Sequence, residues 1–255
     1  MIMKTYGLIG KTLGHSFSRQ FFSEKFTKEG LDAEYLNFEL PDINDFSKIF
    51  DGRNICGLNV TIPYKQAVIP FLADLSSEAR EIGAVNVIKP LNCGERLCGD
   101  NAPMQLKGYN TDVIGFMESI RPLLKPYHKK ALVLGTGGAS KAVAYGLKQL
   151  GLEVMFVSRT RTADIISYTD ITPAVMSEFT VIVNTTPLGT SPNVDTCADI
   201  PYELITHRHL LFDLVYNPSE TLFLRRGREQ GAQTENGLKM LHIQALAAWQ
   251  IWNEK

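Results

Sequence analysis

Ala131-Leu132-Val133-Leu134-Gly135-Thr136-Gly137-Gly138-Ala139-Ser140 is the stretch on which the fold turns. Its unbroken apolar run, residues 131–134, reads as a strand buried on both faces, as strands of parallel sheets are. The glycine-rich turn follows, and residues 140–150 read as a helix stopped by Gly151. Strand, G-x-G-G-A and helix together form the first half of a Rossmann-like unit. Gly135 permits the tight turn, Gly137 lets the backbone approach a pyrophosphate, and Gly138-Ala139 allow close helix packing. The helix N-terminus adds unpaired N–H groups and a partial positive charge suited to phosphate. A tight strand-to-helix turn without a ligand would use the same residues, so the flanking sequence has to decide.

The next strand reads as residues 153–157 and ends in Ser158-Arg159-Thr160-Arg161. An NAD site places Asp or Glu at this point for the ribose hydroxyls, whereas an NADP site places Arg near the extra phosphate. Here there are two guanidinium groups, two hydroxyls and no carboxylate. Arg suits a phosphate because its planar fork donates bidentately. The cofactor expected is therefore NADP.

Working outward, residues 181–184 and 210–213 read as further strands, and residues 220–230 and 237–252 as helices. Toward the N-terminus, residues 5–9, 33–39, 57–62 and 84–89 read as strands, and residues 19–29, 42–50 and 113–124 as helices. Gly30 stops the first of these helices and Pro63 the third strand. The alternation makes the class α/β. Residues 90–108, rich in Gly and Asn, read as a hairpin or ordered excursion. Pro126 and Lys129-Lys130 mark a candidate domain boundary.

The bulk properties narrow the function. The chain has 255 residues, 44% hydrophobic and 21% charged, with a net charge of −1. The balanced charge disfavours a nucleic-acid partner. No apolar run approaches the roughly 20 residues of a membrane helix, and no signal peptide is evident, so a cytoplasmic location is expected. Cys56, Cys93, Cys98 and Cys197 lack paired spacing and read as reduced thiols. The histidines form no recognisable ligand set, so no metal is expected.

Asn59-Val60-Thr61-Ile62-Pro63-Tyr64-Lys65, Gly83-Ala84-Val85-Asn86 and Asn110-Thr111-Asp112 all place polar groups at strand ends, where the ligand crevices of open α/β sheets lie. Asp112 also reads as a helix N-cap. These segments join His15-Ser16-Phe17-Ser18, the glycine turn, Ser158-Arg159-Thr160, Asn184-Thr185-Thr186-Pro187-Leu188-Gly189, Asp213-Leu214-Val215-Tyr216 and Glu235-Asn236-Gly237-Leu238-Lys239-Met240-Leu241 with Gln244. In this order the combination resembles the shikimate dehydrogenase family over nearly the whole chain.

The resemblance implies two α/β domains around a cleft. An N-terminal substrate domain would span residues 1–112 plus 237–255, and a C-terminal Rossmann-like NADP-binding domain residues 113–236. It implies reversible reduction of 3-dehydroshikimate to shikimate by NADPH. Ser16 and Ser18 would hydrogen-bond the substrate carboxylate; Thr61, Asn86, Asp112 and Gln244 would read the ring hydroxyls and the carboxylate end. Lys65 and Asp112 would be the catalytic pair, Lys65 moving the proton and Asp112 orienting or sharing it, although Lys65 serving mainly to position substrate stays open. Tyr216 would line the site near the substrate, or be a core aromatic. Gly135, Gly137, Gly138, Ala139, Ser158, Arg159, Thr160 and Gly237 would hold the cofactor. His15 would be structural.

Two positions depart from the family pattern: Val113 stands where relatives have Gly, and Ser158 where they have Asn. The alternatives are a quinate/shikimate dehydrogenase using NAD and a non-catalytic NADP-binding sensor. The expected partner is the small-molecule substrate, with a monomer or homodimer as the assembly.

Overall fold

The computed structural model describes residues 3–14, 16–91 and 105–254. The chain enters as β1 (Lys4–Gly10), turns through a polar loop and runs into α1 (Phe17–Glu29). Ser16 caps α1 by accepting from the Arg19 N–H, and Gly30 closes it at φ 63°, a left-handed backbone that suits glycine. β2 (Ala33–Glu39) returns alongside β1. The helix expected over residues 42–50 is a 3-10 helix, Ile43–Phe50. Its buried side chains, Phe46 and Ile49, are three residues apart, which a three-residue turn places on one face.

β3 (Asn54–Val60), α2 (Tyr64–Ala67), β4 (Asp74–Leu75), α3 (Ser77–Ile82), β5 (Val87–Pro90) and β6 (Leu106–Tyr109) complete the first sheet, ordered β2-β1-β3-β5-β6-β4. β1 pairs in parallel with both β2 and β3, whereas β5 runs antiparallel to β3 and β6. Residues 90–108, expected as a hairpin or ordered excursion, begin and end in the antiparallel pair β5 and β6; residues 92–104 lie outside the described residues.

A second six-stranded sheet follows α4 (Asp112–Ile120). Its elements are β7 (Lys130–Leu134), α5 (Gly138–Gln149), β8 (Glu153–Ser158), β9 (Ile165–Ser167), α6 (Pro173–Glu178), β10 (Val181–Asn184), β11 (Leu210–Asp213), α7 (Leu222–Glu229) and β12 (Gln233–Glu235), and α8 (Leu238–Asn253) follows. The strand order β12-β11-β10-β7-β8-β9 is parallel throughout. That is the doubly wound dinucleotide-binding order, reversing between β7 and β10. Leu132, Leu134, Ile182, Leu211 and Phe223 share one side of this sheet; Ala131, Val133, Val183, Leu210 and Phe212 share the other. Each fully buried large aliphatic contributes about 1.5–3 kcal/mol relative to exposure.

The chain resolves into two units, Met1–Thr111 with Ala245–Lys255, and Asp112–Gln244. The break falls between Thr111 and Asp112, not at Pro126–Lys130, because α4 packs within the second unit. Gly146 of α5 admits it closely: a Cβ there would lie 3.0 Å from Met117 and 3.5 Å from Val113. Val113, the residue that departs from the family pattern, is buried in that contact. In the first unit, Ala245, Ala248 and Trp252 of α8 pack with Tyr6, Phe22, Phe26 and Tyr35. The Trp252 indole N–H donates to the Ile88 carbonyl at 3.1 Å, and its ring lies 2.5 Å from where a Cβ on Gly57 would stand. The expectation of four reduced thiols fails at Cys56, which is disulfide-bonded; Cys197 is a free thiol, and Cys93 and Cys98 lie outside the described residues.

Candidate functional site

In the first unit, β1 lies between β2 and β3, so strand order reverses between β1 and β3. Ligand crevices of open sheets form outside the strand C-termini at such a point. The two loops that leave it carry Ser16 and Thr61–Lys65. The loop after β1 is pinned at Leu13, whose N–H donates to the Glu39 carboxylate at 2.6 Å and whose carbonyl accepts from the Asn37 amide at 3.2 Å. This fixes the approach to Ser16. The Ser16 oxygen accepts from Arg19 N–H at 3.3 Å, a bond that uses a lone pair and leaves the hydroxyl its proton to donate. His15 lies outside the described residues.

The loop after β3 is held just as closely. Thr61 N–H donates to Ile9, Tyr64 N–H to the Thr61 carbonyl, and the buried Tyr64 hydroxyl to the Leu40 carbonyl at 2.6 Å. The carbonyl of Lys65 accepts from Val85 N–H at 2.7 Å, which ties the half-buried lysine to the segment bearing Asn86. Asn86 in turn grips Thr111: its amide nitrogen donates to Thr111 Oγ1 at 3.0 Å, and its Oδ1 accepts from Thr111 N–H at 2.7 Å. Asn110 donates to the Ala84 carbonyl at 2.9 Å.

These groups extend into a buried relay that sequence reasoning missed. Asn59 donates to the Asn86 carbonyl at 3.4 Å, which turns its Oδ1 toward the Tyr35 hydroxyl, 2.7 Å away. Ser18 hydrogen-bonds the same hydroxyl, and burial holds the Tyr35 phenol far above its ordinary pKa. Because Tyr35 spends its proton on Asn59, the Ser18 proton points to Tyr35. For Ser18 to donate to a ligand, its hydroxyl must rotate away. The structure therefore brings Ser18, Asn59, Asn86 and Thr111 onto one chain of hydrogen bonds. No local sequence pattern announces it, since its partners lie 17 to 27 residues apart.

Asp112 is the next residue after Thr111 and the first of α4; it is buried. One turn on, Gly115 lets α8 cross: a Cβ there would meet the Met240 carbonyl at 2.5 Å and Gln244 at 3.1 Å. The buried Gln244 is thereby placed beside the first turn of the helix that Asp112 begins.

The glycine turn sits at the reversal between β7 and β10. Gly135 has φ 105°, a region that disfavours any side chain, and its α-carbon faces Thr185 Oγ1 and Thr186 Cγ2, each 3.0 Å from a would-be Cβ. Gly137 is the N-cap of α5 with no side-chain cap bond, and a Cβ on it would meet nothing within 4 Å. Gly138 and Ala139 open that helix, and Ser140 donates to the Gly137 carbonyl at 2.6 Å. The backbone N–H groups of this first turn are donors of the kind that bind phosphate.

At the end of β8, Ser158 Oγ accepts from Thr160 N–H at 3.3 Å and shapes the turn that presents the exposed Arg159. Arg161, counted from sequence as a second guanidinium for the phosphate, pairs with Asp170 at 3.3 Å. Asp170 also accepts from Ser167 N–H and Oγ, and these bonds hold its carboxyl below the usual range. Among the described residues, Arg159 is thus the guanidinium of the turn with no carboxylate in an ion pair.

Tyr216 is 38% exposed, which removes its reading as a core aromatic. Gly237 donates its N–H to the Val215 carbonyl at 3.2 Å, and a Cβ on it would collide with the Leu214 carbonyl. Before these two lies a second unforeseen residue, Asp213, fully buried at the end of β11. Burial pushes its pKa up to about 6, against the bonds from Thr221, Val215 and Asn184.

Comparison with known proteins bears on the whole chain. Residues 8–88 match the family model described as the shikimate dehydrogenase substrate binding domain. A shikimate dehydrogenase (NADP(+)) of Desulforamulus reducens is 36% identical, over 96% of this chain and 88% of its own. The crystal structure of shikimate dehydrogenase from Aquifex aeolicus aligns with a TM-score of 0.83 at 35% identity, covering 98% of this chain and 92% of that one. That from Thermus thermophilus, in complex with NADP(H) and shikimate, aligns with a TM-score of 0.81 at 29% identity, covering 99% and 94%. Sequence, fold order and the placement of the polar strand ends agree, and the chain belongs to the shikimate dehydrogenase family.

Proposed function

We propose that the chain is an NADP-dependent shikimate dehydrogenase, reversibly reducing 3-dehydroshikimate to shikimate in the cytoplasmic pathway to aromatic amino acids. The observation that carries this reading is the buried relay from Ser18 through Tyr35, Asn59 and Asn86 to Thr111, directly before Asp112. Such a set of fixed polar groups suits a small polyhydroxy acid and rejects analogues that leave them unpaired. The cofactor fits as well. Gly137 offers bare backbone, α5 begins without a side-chain cap, and Arg159 follows β8 with no carboxylate in its turn.

Gly135, Gly137, Gly138 and Ala139 hold the pyrophosphate, Ser158, Arg159 and Thr160 the adenosine phosphate, and Gly237 sets backbone against the nicotinamide. When bound, NADPH supplies the hydride. Ser16 and Ser18 hydrogen-bond the substrate carboxylate, Ser18 by turning its proton from Tyr35. Thr61, Asn86, Asp112 and Gln244 read the ring hydroxyls and the carboxylate end, and Tyr216 lines the substrate position. Lys65 delivers a proton to the oxygen of the carbon being reduced and takes it back in the oxidation. Asp112 orients that ammonium or shares its proton.

Steady-state rates with shikimate, NADP and NAD test the proposal. Shikimate oxidation that favours NADP is expected; preferential NAD turnover, or NADPH binding without shikimate-dependent reduction, would overturn it. Arg159→Ala should raise the KM for NADP about tenfold or more, through loss of a charge-assisted pair, and leave that for NAD unchanged. Lys65→Ala should lower kcat by a factor on the order of 100 or more with substrate binding retained.

A further inference from the structure

The hydrogen bonds of Asp213 reach further than one strand end. Its Oδ1 accepts from the Asn184 amide nitrogen at 2.9 Å and from Val215 N–H at 3.0 Å; its Oδ2 accepts from Thr221 Oγ1 at 2.6 Å. With its nitrogen committed, the Asn184 amide must present Oδ1 the other way. That oxygen accepts from Thr186 N–H at 3.1 Å and from Thr186 Oγ1 at 2.7 Å. Thr186 Oγ1 then accepts from Leu188 N–H at 3.3 Å. Thr185 and Thr186 are the residues whose side chains stand 3.0 Å from the would-be Cβ of Gly135. In the other direction, Val215 N–H is fixed by Asp213, while the Val215 carbonyl receives Gly237 N–H and the Leu214 carbonyl abuts the Gly237 α-carbon.

We propose that Asp213 is a positioning residue for the dinucleotide, its buried carboxylate locking the 184–188 loop behind the glycine turn and the 214–215 backbone behind Gly237. Both ends of the cofactor's path through this unit then depend on one side chain that does not itself touch it. A carboxylate suits the task because it is acceptor-only. An acceptor at Oδ1 admits a single orientation of Asn184, and a reversed amide would turn its oxygen toward Asp213 and its donors toward Thr186 N–H. The inference rests on the reading that this chain binds NADP.

The test uses the full chain and three variants, with NADP dissociation constants, the KM values for NADP and shikimate, kcat and thermal midpoints. Asp213→Ala removes the acceptor and should raise the NADP dissociation constant and KM about tenfold, the scale of one lost buried hydrogen bond, with shikimate KM within about twofold. Asp213→Asn keeps an oxygen at Oδ1 and should restore NADP binding to within about threefold of the parent. Thr186→Val breaks the relay downstream and should weaken NADP binding about fivefold at a nearly unchanged midpoint.

NADP binding unchanged in the Ala and Val variants, equal losses in NADP and shikimate constants, or an Asn variant no better than Ala would overturn the proposal. Should the Ala variant not fold, the Asn and Val variants decide by the same criteria. A parent chain that binds no NADP would refute the functional reading itself. A parent that binds it, with variants that bind equally well, refutes only the role of Asp213.

Discussion

Tyr35 illustrates how much of the site is carried by residues that touch no ligand. Its hydroxyl donates to Asn59 Oδ1 and accepts from Ser18. Tyr35→Phe removes one side of a buried pair and leaves the Asn59 oxygen unsatisfied. Urea unfolding should show a loss of about 1–3 kcal/mol, since an orphaned buried acceptor forfeits its desolvation cost. A loss below about 0.5 kcal/mol would mean that water replaces the phenol. Neither Tyr35 nor Asp213 was given a role from sequence, because each acts through partners brought in by the fold. Asp213 had one local signal, a carboxylate closing an otherwise apolar strand, Leu210-Leu211-Phe212-Asp213. By contrast Lys65, Asn86, Asp112 and Arg159 were legible because they stand at strand ends within recognisable segments.

Buried titratable groups also set opposing pH dependences. His128 Nδ1 accepts from Lys125 N–H and its Nε2–H donates to Arg208; His209 Nδ1 accepts from Thr206 N–H and its Nε2–H donates to Met176. Burial, first among the causes, lowers both pKa values below 6.5. A second ring proton would confront a backbone N–H in each case. Their contribution to stability is therefore present above pH 6.5 and lost as pH falls through the folded-state values. Asp213 has the reverse sign. Its folded pKa, about 6, exceeds the ordinary 3.8, so its contribution is fully present below 3.8 and lost as pH rises through 6. The stability of the parent relative to Asp213→Asn should fall by about 2 kcal/mol between pH 4 and pH 7. Denaturant midpoints across that range check it; a pH-independent difference would contradict the raised pKa.

At the scale of the element, the glycine turn separates two demands that the sequence merges. Gly135 needs its left-handed backbone and is pressed by Thr185 and Thr186, whereas Gly137 is extended at φ −76° and faces open space. Gly135→Ala should destabilise the protein by about 1–3 kcal/mol even without cofactor. Gly137→Ala should leave the thermal midpoint almost unchanged and weaken NADP binding at least tenfold, because only the ligand claims that space. Equal effects of the two substitutions on stability would refute this division. Elements with strong patterns, such as β7, β10 and β11, were legible from continuous apolar runs. β9 and β12 were not, being edge strands of three residues each, Ile165–Ser167 and Gln233–Glu235, too short to show a period. That residues 43–50 are helical was legible, but not that the helix is 3-10, because its apolar spacing fits both periods.

At the scale of the whole molecule, α8 contributes to both units, with the boundary between Gln244 and Ala245. Its far end is anchored by Trp252, whose ring packs on Gly57 and against Tyr6 and Phe22 at centroid distances of 5.1 Å each. Trp252→Ala should cost about 3–5 kcal/mol of unfolding free energy by urea titration, the range for deleting a buried large aromatic. A cost under about 1 kcal/mol would show that the aromatic cluster closes without it.

This arrangement inverts the order of completion during synthesis. The second unit is one uninterrupted stretch of chain, Asp112–Gln244, and has all its strands once that stretch has emerged from the ribosome. The first unit is translated earlier yet lacks Ala245, Ala248 and Trp252 until the whole second unit has been made. The nascent protein therefore carries an unsealed aromatic core while the second unit is being translated, and of the two units the one begun earlier is completed later.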